Sequence, residues 1–480
     1  MKYTRMVVVA TALMVLGPCT YASAAGAPTW RTAQKVVLPS GGIGLPQGYL
    51  PALSCATPGN CTTAGAYSDN NGNTHGLTLR EVGGVWRPAT AIAPPAGATS
   101  IGLTPYAVSC ATPGNCSVVG AYRISVTNVQ PFALIERSGI WKPTSKIVLP
   151  KGALVAGQSA ALRAVACSSS TSCVGVGIFT AGSASAPRRE AFVAREVAGV
   201  WRAATLIAVP TNANLNPYVS LSQLACPTVT SCVAAGTYID ANNVTRGLLL
   251  TTTGPTWSAH VITPPVNASI YATMSVGGLS CASAGNCTVL GTYVTAQGAT
   301  QAFIESESNG RWARALPLTM PNGAAPNPHV FLYNFTDISC RSVGNCSAGG
   351  QYRDSAGNYQ GFLVNQRSGT WQSATTLALP SGAVSTGKNG GVVSVSCSCA
   401  GECSAGAAYL DSAGNYQALV VNASGSTWRS GVKIGLPKSA LTVGVDGGVY
   451  SLVCHVGGCS GVGSYLSSPT LYAGFTLAAN

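Results

Sequence analysis

The fold is decided by a recurring stretch, which is represented by Ser109-Cys110-Ala-Thr-Pro-Gly114-Asn115-Cys116-Ser-Val-Val-Gly120-Ala-Tyr122. Its two cysteines enclose five residues that end in Gly-Asn, a turn signal between two alternating apolar segments, so the stretch predicts a β-hairpin. Cysteine pairs of this kind occur eight times, seven with five residues between the cysteines and the last with four, and successive first cysteines lie about 57 residues apart. The eight pairs are Cys55 with Cys61, Cys110 with Cys116, Cys167 with Cys173, Cys226 with Cys232, Cys281 with Cys287, Cys340 with Cys346, Cys397 with Cys403, and Cys454 with Cys459.

Each repeat continues through two further strand signals. The second cysteine opens Cys-x3-Gly-x-aromatic, and a polar loop then leads to a third apolar segment such as Phe132 to Glu136. A short Gly turn precedes a Trp that opens a fourth segment, such as Trp141 to Leu149. Four short antiparallel strands that repeat around a ring form a β-propeller blade. The sequence therefore predicts an all-β, eight-bladed propeller with four antiparallel strands per blade.

The two ends of the chain indicate how the ring closes. The eighth repeat ends without a Trp strand, whereas the segment from Trp30 to Pro39 is a Trp strand without a partner. We expect this N-terminal strand to complete the last blade, because closure removes exposed sheet edges. Residues 25–480 are accordingly expected to form a single domain, with two four-bladed rings or an open array as the alternative.

Residues 1–24 have the features of a secretory signal peptide. Lys2 and Arg5 precede an apolar run, and Ala22-Ser23-Ala24 is a small-x-small cleavage signal. Cys19 leaves a lipid anchor as the alternative. Eighteen cysteines in a chain with only 8% charged residues also favour an oxidising compartment. We therefore expect a secreted protein, extracellular or periplasmic, without a membrane span.

The paired cysteines are expected to form one disulfide per blade, because residues that face each other in a hairpin lie within bridging distance. Metal binding is the alternative, but it needs four converging ligands and the four histidines are scattered. We predict no metal site and no cofactor. Cys399 is left over, so either a buried thiol or an intermolecular bridge is expected there. A monomer is expected, and a Cys399-linked dimer is the alternative.

The repeat Ser-Cys-x5-Cys-x3-Gly-x-Tyr, followed by a strand and Gly-x-Trp, resembles that of secreted bacterial β-propeller proteins of mostly unassigned function. The turns Ser368-Gly369-Thr370-Trp371 and Ser424 to Trp428 also resemble a degenerate Asp-box of sialidase-like propellers. The resemblance covers residues 25–480, but these turns lack the Asp of that box. It implies the propeller fold, and because Asp-boxes are structural it implies no sialidase activity.

Signatures of catalysis are weak in this sequence. Glycosidases need two carboxylates near each other, and the chain has only 13 acidic residues. Glu81, Glu136, Glu196 and Glu305 recur at nearly the same place in four repeats, which favours a structural role. The sequence contains neither a Gly-x-Ser-x-Gly elbow nor a P-loop. We favour a non-catalytic protein, with a carbohydrate-active enzyme (glycoside hydrolase or lyase) at the channel mouth as the alternative.

Binding is expected on the face formed by the loops between second and third strands and by the connections between blades, called here the loop face. The opposite face carries the Cys and Trp hairpins and is called the hairpin face. Two similar loops, Asp354 to Tyr359 and Asp411 to Tyr416, suit either Ca²⁺ or an Asx turn, and we favour the turn. The candidate ligand-binding residues are Asp69, His75, Arg123, Arg188, Arg189, Arg246, Arg353, Asp354, Tyr359, Asp411 and Tyr416.

The net charge of +13 favours acidic partners. We therefore expect a secreted binding or surface-interaction module whose ligand is a carbohydrate, such as an acidic polysaccharide, or a cell-surface protein. Because a secreted protein rarely meets nucleic acid, no nucleic-acid partner is expected.

Overall fold

Eight antiparallel sheets follow one another along the chain in the computed structural model, which describes residues 28–46, 50, 52–98, 102–254, 256–332, 338–384 and 389–479. Each sheet is one blade, so the prediction of an all-β, eight-bladed propeller is confirmed. The expected signal peptide, residues 1–24, lies outside the described residues, and the domain boundaries stay an expectation. None of the described residues belongs to a helix long and apolar enough to span a bilayer.

The first two strands of each blade form the cysteine hairpin. The first strands are β3 (Ala52–Thr57), β8 (Leu103–Thr112), β13 (Ala161–Ser169), β18 (Ser220–Ala225), β22 (Met274–Ser283), β27 (Ile338–Ser342), β32 (Gly390–Cys399) and β37 (Gly447–His455). The second strands are β4 (Asn60–Asp69), β9 (Asn115–Ser125), β14 (Ser172–Ser183), β19 (Ser231–Ile239), β23 (Asn286–Val294), β28 (Asn345–Arg353), β33 (Glu402–Leu410) and β38 (Gly458–Ser468).

The third strands are long and the fourth strands are short. The third strands are β5 (Thr74–Val82), β10 (Asn128–Arg137), β15 (Ala186–Val197), β20 (Thr245–Thr253), β24 (Thr300–Ser308), β29 (Tyr359–Arg367), β34 (Tyr416–Ser424) and β39 (Leu471–Ala479). The fourth strands are β6 (Val85–Trp86) with β7 (Thr90–Ala91), β11 (Ile140–Trp141) with β12 (Ser145–Lys146), β16 (Val200–Trp201) with β17 (Thr205–Leu206), β21 (Trp257–Val261), β25 (Arg311–Trp312) with β26 (Leu316–Pro317), β30 (Thr370–Trp371) with β31 (Thr375–Thr376), β35 (Thr427–Trp428) with β36 (Val432–Lys433), and β1 (Gln34–Lys35).

The fourth strand differs from the expected continuous segment. In six blades it consists of two short pieces that pair separately with the third strand, whereas β21 alone runs unbroken from Trp257 to Val261 among the fourth strands described. A short, interrupted outer strand offers few unpaired backbone groups to another chain, which protects the rim from edge-to-edge association.

The ring closes as the sequence predicts. Strand β1 pairs with β39, with Gln34 opposite Thr476, and Trp30 bridges to Ala479. The first strands of neighbouring blades contact each other all the way round, including β37 with β3. The first strands are therefore innermost, and the N-terminal strand completes the eighth blade. A short strand β2 (Gly42–Gly44) adds to β4 at the loop face.

The core lies between blades. In one cluster, Val193 and Ile207 of blade 3 pack with Leu221 and Leu248 of blade 4. Near the loop-face end of every second strand an aromatic ring is buried, as expected for packing: Tyr67, Tyr122, Phe179, Tyr238, Tyr293, Tyr352, Tyr409 and Tyr465. Burial of a large ring stabilises by about 1.5–3 kcal/mol, so these eight positions hold neighbouring blades together.

Each blade carries the expected disulfide, with Cα atoms 3.9 to 4.2 Å apart. Metal binding, the alternative, is wrong for these sixteen residues, because a sulfur atom in a disulfide is no longer a thiolate ligand. The bridges join Cys55 to Cys61, Cys110 to Cys116, Cys167 to Cys173, Cys226 to Cys232, Cys281 to Cys287, Cys340 to Cys346, Cys397 to Cys403, and Cys454 to Cys459.

The two cysteines of a pair differ in burial, a difference that their spacing in the sequence does not predict. The first cysteines range from buried to half-buried, whereas every second cysteine is buried: Cys61, Cys116, Cys173, Cys232, Cys287, Cys346, Cys403 and Cys459. The second strand lies between the first and third strands, so its cysteine packs into the core. These eight residues therefore belong to the core and are not part of a ligand-binding surface.

Cys399 is disulfide-bonded as well. The expectation of a leftover thiol there was wrong, because counting hairpin pairs by spacing cannot detect a bridge outside the repeat. Disulfides in this number indicate an oxidising compartment.

Candidate ligand-binding site on the loop face

In blades 2 and 3, a β-bulge in the first strand turns one side chain towards the loop face. The register of β8 against β9 shifts between Pro105 and Ala107, and that of β13 against β14 shifts between Leu162 and Ala164. The extra residues are Tyr106 and Arg163, each four positions before the first cysteine of its repeat. Because a bulge re-aims the side chain at its centre, these two residues depart from the ordinary alternation.

The glycine of the Cys-x3-Gly motif makes room for this bulge in blade 3. A Cβ atom on Gly177 would lie 2.1 Å from the carbonyl oxygen of Ala161 and 2.8 Å from the ring of Phe192. Both distances are below van der Waals contact, so in blade 3, with the ring of Phe192 beside it, position 177 has no room for a side chain. Blade 7 has Ala407 at the equivalent position and the smaller Leu419 where blade 3 has Phe192.

The first stacked pair of the site joins blades 2 and 3. The guanidinium carbon of Arg163 lies 4.3 Å from the centre of the Tyr106 ring. Stacking on an aromatic face holds a guanidinium flat while its N–H groups stay available at the edge. The bulges of two neighbouring blades therefore place an oriented cation near the centre of the loop face.

The second stacked pair lies one blade further round. The guanidinium carbon of Arg189, in β15, lies 4.7 Å from the centre of the Tyr218 ring, which belongs to the connection into blade 4. Tyr218 has a φ of 43°, a left-handed conformation that is uncommon for a bulky residue. Asn216 Oδ1 accepts hydrogen bonds from the backbone N–H groups of Arg189 (2.9 Å) and Tyr218 (3.3 Å), and so holds both residues in place. Strained residues of this kind cluster at functional sites.

Two adjoining clefts surround these pairs. The larger, called here the Arg189 cleft, has a volume of about 310 Å³ and the smaller, the Arg123 cleft, about 180 Å³. They share Ser159, Arg163 and Ile178 as a common wall. The Arg189 cleft is also lined by Thr180, Pro187, Arg188, Arg189, Asn216 and Tyr218, and the Arg123 cleft by Gly102, Thr104, Tyr106, Ala121, Arg123, Val129, Ala160 and Ala161.

Two of the four arginines in the clefts have no acidic partner among the described residues. Arg188 pairs with Glu190 at 3.0 Å, and Arg123 Nη1 donates to the carbonyl of Val126 at 2.9 Å. Within the described parts of the chain, neither Arg163 nor Arg189 forms an ion pair. Nε of Arg189 is buried and has no hydrogen-bond partner among the described residues. The clefts therefore present two oriented guanidinium groups to an anion.

The acidic loop residues expected to bind ligand are engaged within their own loops. Oδ1 of Asp69 accepts the backbone N–H groups of Asn71 and Asn73 at 2.9 Å, and Oδ2 contacts His75 Nε2 at 2.9 Å. These hydrogen bonds, first those from the side chains of His75 and Asn73, hold the pKa of Asp69 well below its ordinary value. The loops of Asp240, Asp354 and Asp411 repeat this arrangement with Arg246, Gln360 and Gln417 in the place of His75.

This arrangement is the Asx turn that the sequence favoured over a Ca²⁺ site. It gives Asp69, His75, Arg246, Asp354 and Asp411 structural partners, and their ligand-binding role stays a prediction. Over the described residues, no group of three or more His, Cys, Asp and Glu side chains is placed to hold a metal ion.

The predicted residues Arg353, Tyr359 and Tyr416 lie on the opposite side of the loop face from the two clefts. Tyr359 and Tyr416 begin the third strands of blades 6 and 7, and Tyr472 is next to the first residue of the third strand in blade 8. Asn389 Nδ2 donates to the Tyr416 hydroxyl, and the Tyr472 hydroxyl donates to Asp446. This row of tyrosines, Tyr359, Tyr416 and Tyr472, is called here the tyrosine arc.

Two members of the tyrosine arc, Tyr416 and Tyr472, are held in their neutral form. The hydrogen bond to Asp446, followed by burial, raises the pKa of Tyr472, and burial together with the charge of Asp446 raises that of Tyr416. The hydroxyl groups of Tyr416 and Tyr472 therefore stay protonated at neutral pH. In that state the rings can stack on a ligand, and the Tyr416 hydroxyl can donate a hydrogen bond because it only accepts one from Asn389, whereas a phenolate would be needed for attack on a substrate.

Several buried carboxylates lie on the hairpin face and link neighbouring blades. Arg80 Nε of blade 1 lies 2.9 Å from Glu136 Oε1 of blade 2, and Arg80 Nη1 donates to the Gly139 carbonyl at 2.7 Å. Arg137 pairs in the same way with Glu196 of blade 3. The Arg80 approach is a charge contact, since neither oxygen of Glu136 accepts a well-aligned hydrogen bond from the described residues. Burial raises the pKa of Glu136, and the charges of Arg80 and Arg137 oppose that rise.

The recurring glutamates thus have structural contacts, but in blade 5 the equivalent residue is not the one that the sequence indicated. Glu307, not Glu305, faces the Trp of its blade as Glu81, Glu136 and Glu196 do. Glu305 instead lies 3.0 Å from His260 Nε2. The sequence places Glu305 in the series because the third strand of blade 5 contains two glutamates two residues apart, on the same side of the strand.

Sequence reasoning found part of the site and missed the rest. It named Arg123, Arg188 and Arg189 but not Tyr106, Arg163 or Tyr218. The signal for two of these was present, since Tyr106 and Arg163 occupy the place four residues before the first cysteine, where Ser222, Gly277 and Val393 stand in other blades. A position that repeats in the backbone but varies in chemistry is where a repeat protein can bind a ligand.

Comparisons with known proteins show no family for this chain. No protein-family model and no curated protein matches the chain. Among solved structures, a protein of unknown function from Dyadobacter fermentans is similar at 11% identity and a TM-score of 0.39, over 95% of this chain and 100% of that one. A polysaccharide lyase, described as a PL25 ulvan lyase, is similar at 8% identity and a TM-score of 0.44, over 93% and 95%. A lectin from Aleuria aurantia is similar at 13% identity and a TM-score of 0.31, over 72% and 99%. Likeness at this level does not bear on function.

Proposed function

We propose that this protein is a secreted, non-catalytic binding protein for acidic carbohydrate, and that the two joined clefts hold the anionic groups. The observation that carries the proposal is the pair of guanidinium groups, Arg163 and Arg189, each stacked on a tyrosine and without an acidic partner among the described residues. Arginine presents a planar fork that matches carboxylate and sulfate oxygens. Tyr106 and Tyr218 supply apolar ring faces beside the charge, which suits a sugar ring with an acidic substituent.

The placement of the carboxylates supports binding over catalysis. Hydrolysis of a glycoside needs two carboxyl groups within about 10 Å of the same bond. On the loop face, four aspartates stabilise their own turns, Glu190 pairs with Arg188, and Asp446 accepts a hydrogen bond from Tyr472. Glu190 and Asp446 belong to blades 3 and 8, so they face different sectors of the ring. A carbohydrate-active enzyme therefore remains the alternative to be tested.

The test is a binding assay with polygalacturonate and dextran sulfate as acidic chains and dextran as the neutral control. We expect retention of both acidic chains, weaker at 200 mM than at 50 mM NaCl, because surface charge attraction is screened. Arg163→Met should weaken binding by about tenfold or more, the loss expected for a hydrogen bond to a charged group. Lys438→Met removes an equal charge from the loop face, in the connection into blade 8 and outside the clefts, and is the matched control.

Two results would contradict the proposal. Equal losses for Arg163→Met and Lys438→Met would mean that net charge, and not the clefts, retains the polysaccharide. Release of shorter fragments from polygalacturonate during the assay would mean that the protein is an enzyme, and the carboxylates would then become the residues to vary.

A protein ligand is the second candidate, and one observation favours it. Val155, Leu215 and Ile270 occupy the same place in three consecutive connections, five residues after a proline, and are 90%, 90% and 78% exposed. Exposed aliphatic side chains that repeat on one face are typical of protein contacts. Capture of an acidic cell-surface protein that is abolished by Leu215→Ser but unchanged by Arg163→Met would favour this candidate over carbohydrate.

A further inference from the structure

The two clefts are not equivalent halves of one pocket, since each contains its own stacked pair. Arg163 on Tyr106 lies in the Arg123 cleft, and Arg189 on Tyr218 lies in the Arg189 cleft. Arg163 also forms part of the wall that the two clefts share. A ligand that fills both clefts must therefore pass Arg163 and meet two oriented cations in succession.

Both pairs are preorganised by contacts that do not use the ligand. Arg163 is aimed by the bulge in β13, and Arg189 by the hydrogen bonds of Asn216 and the left-handed backbone of Tyr218. Stacking removes much of the freedom of a long side chain before a ligand arrives. Each guanidinium can therefore hold one carboxylate or sulfate through two parallel N–H donors.

Further cations lie beyond each pair. Arg123 lines one end of the joined clefts and Arg188 the other, where Glu190 compensates its charge. The positive charge is thus spread along a path from blade 2 to the connection into blade 4, and is not concentrated at one point. A single small anion would use only one part of this path.

We propose, on the basis of the proposed function, that the ligand is a linear polyanion that bears a carboxylate or sulfate group on successive units and lies across both clefts. One acidic group binds at Arg163 and a following one at Arg189. The chemistry of the anion is shared between uronic acids and sulfated sugars, and the experiment uses one of each.

The two-cleft arrangement makes chain length the decisive variable. Once one acidic group is bound, the next binds as an intramolecular event at high effective concentration. Affinity should therefore rise steeply as the chain becomes long enough to reach both cations, and then level off. A ligand that uses one cleft would gain only in proportion to the number of its acidic groups.

The test measures affinity by calorimetry for the full chain with galacturonate oligomers of one to eight units and with a matching series of sulfated oligomers. Methyl-esterified galacturonate oligomers of equal length are the neutral control. We expect a rise of about a hundredfold or more between the monomer and the shortest oligomer that reaches both clefts, because two charged contacts replace one. Arg163→Met and Arg189→Met should each abolish this step, whereas Lys438→Met, at an exposed residue of the connection into blade 8, should leave it intact.

The outcomes separate this inference from the proposed function. If oligomers bind and Arg163→Met weakens them, but affinity grows only in proportion to length, the proposed function stands and the two-cleft ligand is refuted. If neither series binds at any length, the proposed function fails, and this inference fails with it. A step in only the sulfated or only the uronate series supports the inference and identifies the acidic group.

Discussion

Replacement of Arg80 should show how much the ion pair between Arg80 of blade 1 and Glu136 of blade 2 contributes to the free energy of unfolding. The side chain of Glu136 is fully buried, with 0% exposure, and Arg80 Nε lies 2.9 Å from it. Loss of one partner of a buried ion pair leaves a buried charge without compensation and costs about 3–5 kcal/mol. Because Arg137 also lies near Glu136, we expect Arg80→Met to destabilise the protein by about 3 kcal/mol at pH 8, the low end of that range.

The destabilisation by Arg80→Met should depend on pH, because it depends on the ionisation of Glu136. Burial raises the pKa of Glu136 above its unfolded value, so its contribution to stability is present at acid pH and is lost as the pH rises through the folded pKa. Without Arg80 that pKa rises further. The destabilisation by Arg80→Met should therefore be largest at pH 8 and should shrink towards pH 4.5, where a protonated Glu136 needs no counter-charge.

Urea unfolding followed by tryptophan fluorescence at the two pH values measures the effect. The double variant Arg80→Met/Glu136→Gln should recover all but about 1 kcal/mol, the value of the lost hydrogen bond to Gly139. Arg87→Met, at an exposed arginine, is the control and should change little. An equal loss at both pH values, or a double variant no more stable than the single one, would refute the reasoning.

Three further predictions concern the repeat. Gly177→Ala should destabilise blade 3 by about 1–3 kcal/mol and weaken binding of polygalacturonate, because the added Cβ displaces the bulge that aims Arg163. Adding Phe192→Leu, the pairing found in blade 7, should restore part of the stability and part of the affinity. An unchanged denaturation curve or an unchanged affinity for Gly177→Ala would contradict this. Replacing Cys110 and Cys116 by Ser should cost about 2 kcal/mol, the loop entropy of a short bridge, seen as a lower denaturation midpoint; an unchanged midpoint would contradict this. Glu81→Gln should become progressively more stable than the parent as the pH rises from 4.5 to 8. Burial raises the pKa of Glu81, so the buried carboxylate contributes less stability once it is ionised. A difference in the free energy of unfolding that does not change with pH would exclude this account.

Much of the fold could be predicted because it depends on patterns of residues that are close together in the sequence. The spacing of Cys55 and Cys61 recurs in six other pairs and is one residue shorter in Cys454 and Cys459, and it predicted both the hairpins and their disulfides. The unpaired strand at Trp30 predicted that the N-terminal strand completes the last blade, where Trp30 bridges to Ala479. Cys399 was the exception, since its bridge lies outside the repeat.

The candidate site could be predicted only in part. Arg123, Arg188 and Arg189 were recognisable because they flank the variable turns between the second and third strands of blades 2 and 3. Arg163 was not recognisable, because it lies within a strand whose alternation hides the bulge. Asp354 and Asp411 were named for ligand binding, although their oxygens are taken by hydrogen bonds within their own loops.

The sequence by itself determined the number of blades, the covalent links within them and the closure of the ring, because each depends on neighbours within one repeat or on the chain ends. Only the tertiary structure decided which side chains meet. Tyr106 and Arg163 belong to different blades, and their stacking depends on the curvature of the ring and on two bulges opposite glycines. Contacts of this kind arise from the geometry of packed sheets, in which a shift of one residue in register reverses the direction of a side chain.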